Sequence, residues 1–170
     1  MLPRDGARDE RIQGLKSRMR RTTQEDFGTD LSRFKIEQKR DFETALAEIK
    51  GGRKRTHWMW YIFPQLKGLG RSEMSEYYGI AGMEEARAYL ADETLRKNLI
   101  EITEALLALA ENDPAAIMGK PDDIKLKSCM TLFYLASDGE EKHLFKSALE
   151  KFYGGSLCAH TEAMLASGRN

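Results

Sequence analysis

His57 and Asp123 are the side chains best suited to move protons in this chain. An imidazole gives and takes a proton near neutral pH, and a carboxylate can bind a hydroxyl or serve as general base. Both are candidate catalytic residues. Trp58 and Trp60, the chain's two tryptophans, follow His57 at once and offer flat faces for stacking on a base. Residues two apart do not share a face of a helix, so at most one stacks while the other packs. A second polar cluster is Asp122, Asp123, Lys125 and Ser128. If it opens a helix, its backbone amides attract phosphate, and Lys125 adds positive charge within one turn. Each feature also has a purely structural account. His57 can be a core histidine with one backbone bond, the tryptophans can be core, and the cluster can be a capped helix start with one solvated face.

Other chemistries lack their residues. Gly68-Leu69-Gly70-Arg71-Ser72 is flexible enough for a phosphate loop, but no strand precedes it and the glycine spacing of a dinucleotide fingerprint is incomplete. His57, His143 and His160 have no ligand spacing, and Cys158 with His160 is an isolated pair, so no metal is expected. There is no nucleophile elbow, no HExxH and no Walker lysine. No cofactor is expected. Lys plus Arg number 27 against 27 Asp plus Glu, so no basic field recruits nucleic acid. The longest apolar runs, 58–63 and 105–110, fall short of the ~20 residues that span a bilayer, so no membrane partner is expected. The N-terminus lacks the apolar stretch of a secretory signal. Two cysteines make no disulfide framework, and a reduced, cytoplasmic protein is the expectation.

The elements that must position these residues read as helices. A chain of 170 residues fits one domain. Residues 1–29 form a charged arm, in which Ile12, Leu15 and Met19 permit an amphipathic helix over Arg8–Arg21 and Arg18, Arg20 and Arg21 can touch an anion. The domain is expected over residues 30–170. Asp30 is placed to cap a helix whose face is Leu31, Phe34, Gln38, Phe42, Ala45 and Ile49, ended by Gly51-Gly52. Thr56 is placed to cap a short helix over His57–Phe63, closed by Pro64. The same apolar run could be a buried strand, but the chain offers nothing to pair with it. Ser72 can cap one turn through Tyr77-Tyr78.

A helix over Met83–Ala91 precedes one capped by Asp92, with Leu95, Leu99, Ile102, Leu106 and Leu109 inward. Asp113-Pro114 starts a short turn. Asp122 or Asp123 is expected to cap a helix carrying Leu126, Cys129, Met130, Leu132 and Phe133. A helix through Leu144, Phe145, Ala148, Leu149 and Phe152 ends at Gly154-Gly155, and a last one carries Met164 and Leu165. The expectation is all-α: a single compact domain of seven or eight helices with short loops and no substantial sheet. Phe34, Phe42, Leu99, Leu106, Met130, Phe133, Phe145 and Phe152 are the expected core.

The stretch Asp30–Leu165 resembles a bacterial family known as domain of unknown function 1810. The matching residues include Asp30-Leu31, Arg33-Phe34, Gln38, His57-Trp58-Met59-Trp60, Ile62-Phe63-Pro64-Gln65, Gly68-Leu69-Gly70 and Ser72. Further on they include Glu85-Ala86, Ala88-Tyr89-Leu90, Leu95, Leu99, Gly119, Asp122-Asp123, Lys125-Leu126, Ser128 and Met130-Thr131-Leu132-Phe133. The resemblance implies a mainly helical fold and no established activity. The label calpastatin, which some members carry, does not suit a sequence without disordered inhibitory repeats. The chain departs from the pattern at Asp92-Glu93, where His-Pro is usual, at Cys129, where Ser is usual, and near Cys158, where an acidic residue is usual.

His57 with Trp58 and Trp60, then Gly119, Asp123, Leu126 and Met130, is also similar to the order of residues in the NADAR superfamily, which acts on ADP-ribose linkages. Gln65, Ser72 and Ser128 join Trp58, Trp60 and Lys125 as candidate ligand-binding residues. Two expectations follow. One is a small enzyme that binds a nucleotide-like ligand and hydrolyses an ADP-ribose N-glycosidic bond, His57 and Asp123 handling protons. The other is a non-catalytic helical module that binds another protein, of unknown identity, through an aromatic groove. Convergence of His57 and the 122–128 helix start on one cleft is expected under the first.

Overall fold

Helix α1, Ser32–Lys50, is the element on which the aromatic stretch is laid. Its apolar spacing turns Phe34, Phe42, Ala45, Leu46 and Ile49 inward, and Glu37, Gln38 and Asp41 are buried on the same helix. The structure, a computed structural model, describes residues 13–14 and 30–168. The chain divides into two units, Met1–Asp30 and Leu31–Asn170. In the first, Gln13 and Gly14 are helical, and the rest of the helix expected over 8–21 lies outside the described residues. The Arg18, Arg20 and Arg21 cluster lies outside them too.

The second unit continues with α2 (Met59–Ile62), α3 (Glu73–Tyr78), α4 (Met83–Ala91), α5 (Glu93–Leu107), α6 (Pro114–Met118), α7 (Asp122–Ala136), α8 (Gly139–Tyr153) and α9 (Ala159–Ala166). Among the described residues from 30 onward these make nine helices, where seven or eight were expected, because α2, α3 and α6 are separate elements of 4, 6 and 5 residues. No strand forms among the described residues. The β pairing present is one isolated parallel bridge between Leu66 and Ile80. Helix α7 packs on α8, α5 packs on α1 and α8, α4 rests on α5 and α7, and α2 lies on α1. The eight expected core residues are all buried. No helix among the described residues is long and apolar enough to cross a membrane.

Several helix starts follow the expected side-chain caps. Ser72 Oγ accepts from the N–H of Ser75 at 3.1 Å, Asp92 Oδ1 from Leu95 at 3.0 Å, and Asp113 Oδ1 from Ala115 at 3.0 Å. Three expectations are corrected. Leu31 rather than Asp30 stands at the N-cap of α1, and its carbonyl takes the Phe34 and Lys35 amides. Pro121 stands at the N-cap of α7, so Asp122 and Asp123 lie inside the first turn, where the helix dipole still favours them. Helix α2 begins at Met59 instead of His57 because Thr56 does not cap it. The Thr56 hydroxyl donates to Glu48 Oε2 at 2.7 Å and its N–H to Glu48 Oε1 at 3.0 Å, and Trp58 is left outside the helix at φ −139°, ψ 6°.

Candidate functional site

Glu48, near the C-terminal end of α1, organises the linker that leads into the aromatic stretch. Besides Thr56, its carboxylate accepts the Arg55 N–H at 2.8 Å and the Trp58 indole N–H at 2.9 Å. Burial alone would raise this carboxyl. The Arg55 amide, the Thr56 hydroxyl and amide, and the Trp58 indole together hold it below its usual range. Trp58 is thereby fixed in the core with no exposed surface. The Lys54 ammonium lies 4.9 Å from its ring centroid, a cation–π geometry. The same ammonium reaches Asp122 Oδ2 of α7 at 3.1 Å and the Thr56 carbonyl at 2.6 Å. Lys54 thus ties the linker to the start of α7, and the two polar stretches meet there although they are far apart in sequence.

Past Trp58 the chain turns Met59, Trp60 and Phe63 toward a small pocket of about 10 Å³, room for about one water. Gln65, Ser75, Tyr78 and Gly79 line another part of it, and Lys125 of α7 contributes a cation. The Gln65 backbone is held by the Leu66–Ile80 bridge, with Ile80 N–H on Gln65 O at 2.9 Å and Lys67 N–H on Ile80 O at 2.8 Å. Gly79 is required there by close approach. A Cβ on it would stand 2.5 Å from Lys67 Cα and 2.9 Å from the Ser75 carbonyl oxygen. Lys125 lies 4.0 Å from Asp122 Oδ1, a longer reach than Lys54 makes to the other oxygen. Its ammonium is therefore only loosely paired within α7.

Beneath the pocket lies a buried polar network that the sequence pattern did not single out as a unit. The Tyr78 hydroxyl donates to Glu37 Oε2 at 3.0 Å, and Arg40 pairs with Glu37 Oε1 at 3.0 Å and with Asp41 at 3.2 Å. The Tyr61 hydroxyl donates to Asp41. Gln38 donates to the Tyr61 carbonyl at 2.8 Å and the Tyr89 hydroxyl at 2.9 Å, and accepts from Asn98 at 2.9 Å. Arg33 grips Glu85 through two nitrogens, at 2.9 and 3.2 Å, and also donates to the carbonyls of Tyr77 and Gly79. Burial, with Glu37 beside it, pushes the Tyr78 phenol well above its ordinary value, so it stays protonated and serves as a donor. The hydrogen bond to Asp41 holds the Arg40 guanidinium firmly charged against the cost of burial.

The structure distributes the expected site residues unevenly. Trp60, Gln65 and Lys125 line one pocket. Trp58 does not: its indole is spent on Glu48 and its ring on the core, so its expected stacking role is corrected to packing. Ser72 is exposed and engaged as the cap of α3. Ser128 is buried, with its hydroxyl on the Ile124 carbonyl and 3.4 Å from the Cys158 sulfur, and it does not line the pocket. His57 is half-buried and its carbonyl accepts from the Tyr61 hydroxyl at 3.3 Å. The carbonyl of Asp123 accepts from the Tyr153 hydroxyl at 2.5 Å, while one carboxylate oxygen, Oδ1, is buried without a hydrogen-bond partner. Neither His57 nor Asp123 lines the pocket, so the expected pair of proton-handling groups is not brought together there. The lining holds no imidazole and no carboxylate. Among the described residues no group of three or more His, Cys, Asp or Glu is placed to hold a metal ion.

Ser75, Tyr78 and Gly79 were missed because nothing local marks them as site residues. They reach the pocket through the Leu66–Ile80 bridge and the Arg33 grip, both long-range. Arg33 and Gln38 did carry a signal, as polar residues of the family pattern on an otherwise apolar helix face.

The comparisons with known proteins agree with this fold. No curated protein matches the chain. Among solved structures the chain is similar to the crystal structure of the conserved hypothetical protein Rv1873 from Mycobacterium tuberculosis. Identity is 42%, the TM-score is 0.77, and the match covers 81% of this chain and 96% of that one. The family described as Protein of unknown function (DUF1810) matches residues 28–165. That match spans the helical unit from before Arg33 and Gln38 through the His57–Gln65 string to α9, and the chain belongs to this family.

Proposed function

We propose that this chain binds a nucleotide-like small molecule in the pocket of Trp60, Gln65 and Lys125. The observation that supports this is the convergence of an aromatic ring, a side-chain amide and a loosely paired cation from two distant stretches on one concavity. Trp60 suits a flat ring, Gln65 can bond its polar edge, and Lys125 can meet an anionic substituent. At about 10 Å³ the concavity holds about one water, so a ring enters only if the Trp60 or Lys125 side chain swings aside, and the rest of a nucleotide stays outside. The fuller reading is hydrolysis of an ADP-ribose N-glycosidic bond by His57 and Asp123. It needs both side chains at a pocket that neither lines, so binding without turnover is the better-supported part. The alternative, a non-catalytic module for a protein partner, draws on little: the large exposed apolar residues among those described are Ile36 and Ile124, and scattered single residues of this kind are ordinary.

A thermal-shift screen against AMP, ADP, ADP-ribose and NAD tests the reading, since a ligand that binds only the folded state raises the melting temperature. Lys125→Met is expected to weaken the best of these by roughly tenfold, about 1.4 kcal/mol, with unfolding still cooperative. A screen without a hit, or a Lys125→Met variant that binds as tightly as the parent, would rule the site out. His57→Gln separates binding from turnover: it should leave affinity within about twofold if His57 stays out of the pocket, and any hydrolysis of NAD to nicotinamide and ADP-ribose should vanish with it.

A further inference from the structure

A groove of about 930 Å³ opens between α5 and α8. The two helices run in the same direction. Arg96, at the start of α5, approaches Glu141, at the start of α8, at 3.7 Å, and Lys151, near the end of α8, donates to the Leu109 carbonyl just past the end of α5 at 2.6 Å. Along α5 the groove is lined by Arg96, Ile100, Glu104 and Leu107, the spacing of one helix face, over about 16 Å. Along α8, Glu140, Leu144 and Ser147 follow the same spacing. Ile100, Leu107 and Leu144 are half-buried, so this apolar lining is set back between the helices instead of standing out as exposed residues. The groove shares no residue with the pocket of Trp60.

The charges along it are not balanced. Arg96 is the one lysine or arginine in the lining, and it is already drawn to Glu141. Glu104 and Glu140 are exposed, and among the described residues neither has an ion-pair partner. Glu140 has a local reason to be acidic, since it lies in the first turn of α8, where the helix dipole favours a carboxylate. Glu104 has no such reason. It stands in the last turn of α5, which carries no basic residue, and the dipole there disfavours a carboxylate. A cation supplied from outside would remove that cost.

We propose that this groove is a docking surface for an amphipathic, lysine- or arginine-rich helix of a partner protein. A third helix laid between two packed ones sets its side-chain ridge into their groove, and such a helix is held by apolar anchors one face apart. Here the anchors rest on Ile100, Leu107 and Leu144, and the cations of the incoming helix meet Glu104 and Glu140. Charge complementarity also argues against other occupants. A second copy seated groove to groove would set these carboxylates against their own kind, which is costly, and a nucleic acid would be repelled by them. The proposal does not depend on the ligand reading of the Trp60 pocket.

The test measures binding of a fluorescent peptide to the full chain by anisotropy, at physiological salt so that unspecific attraction is screened. The peptide is built of leucine and lysine, with leucines at i, i+4, i+7 and i+11 so that one helical face is apolar. It should bind, and a peptide of the same composition with its leucines scattered around the helix should bind at least about tenfold more weakly. Glu104→Lys together with Glu140→Lys should weaken the first peptide at least about tenfold, and Leu144→Gln severalfold, with unfolding still cooperative. Glu84→Lys, at an exposed position of α4 outside the groove, should leave binding unchanged. No binding, equal binding of the scattered peptide, or a double variant that binds like the parent would overturn the proposal. So would a loss in Glu84→Lys as large as in the double variant, which would mean attraction to net charge alone. A dimer of the peptide-free chain in sedimentation, broken by Leu144→Gln, would also overturn it and give the groove to a second copy.

Discussion

Helices α5, α7 and α8 are held together chiefly by apolar side chains, whereas residues 53–80 are held by directed polar bonds back to α1. On the first side Leu95, Leu99, Ile102, Leu106, Leu126, Met130, Phe133, Phe145 and Leu149 are all but fully buried, and Phe133 sits between the Tyr89 and Phe145 rings, 5.0 and 6.1 Å away. On the second side the backbone is irregular, and Glu48, Arg33, Gln38, Asp41 and Glu37 each fasten a particular group of it. Apolar packing is non-directional and fills volume. Hydrogen bonds fix position, and leaving a buried one unmade is costly. The candidate pocket forms on the second side, where a short helix and two loops would not hold a shape by packing alone.

The largest expected effect tests the packed side. Phe133→Ala should cost about 4 kcal/mol through lost burial and a residual cavity, measured by urea denaturation. Because no charge is involved, the loss should be the same at neutral and mildly acid pH. A strong pH dependence would blur the contrast between the two sides.

Next is the close approach beneath the pocket. Gly79→Ala places a Cβ 2.5 Å from Lys67 Cα, and separating backbone from backbone should cost about 2 kcal/mol. It should also disturb Gln65, since the same contact carries the Leu66–Ile80 bridge. A variant of parental stability would mean that this segment yields easily, contrary to a side held by directed bonds.

Glu48→Gln should cost somewhat less, about 1.5 kcal/mol at neutral pH, as charge-assisted bonds become neutral ones. The sign of its pH dependence follows from the lowered carboxyl. Its stabilisation is fully present above the unfolded value near 4.5 and fades as pH falls through the lower folded value. The gap between parent and variant should therefore narrow as pH falls below 4.5. A gap that persists unchanged into acid would show that shape, and not the carboxylate charge, orders residues 53–58.

The smallest effect is expected from the arm. Deleting residues 1–28 should leave unfolding cooperative, because the family match begins at residue 28 and the buried core described here starts with Phe34. A broad, non-cooperative transition in the shortened chain would assign the arm to the core.

The packed side was largely legible in the sequence. Leu95, Leu99, Ile102 and Leu106 fall at helical spacing, Asp92 caps their helix, and Gly154 closes α8 at φ +63°, the left-handed turn that glycine takes freely. Such signals are local, lying within four residues of one another. The site was legible only as two suspicious stretches. Trp60, Gln65 and Lys125 were among the residues chosen, but so was Trp58, and nothing local told the two tryptophans apart. What separates them is Glu48, ten residues upstream, which takes the Trp58 indole N–H.

The sequence by itself determined that this chain is helical, where most of its longer helices begin and end, and which apolar residues form the core, because periodicity and capping act through neighbours along the chain. Only the tertiary structure decided that Thr56 bonds to Glu48 instead of capping α2, that Lys54 joins the linker to α7, and that Lys125 rather than His57 faces Trp60. Those outcomes depend on competition between partners distant in sequence, each settled by which donor and acceptor the packed helices bring within about 3 Å of each other.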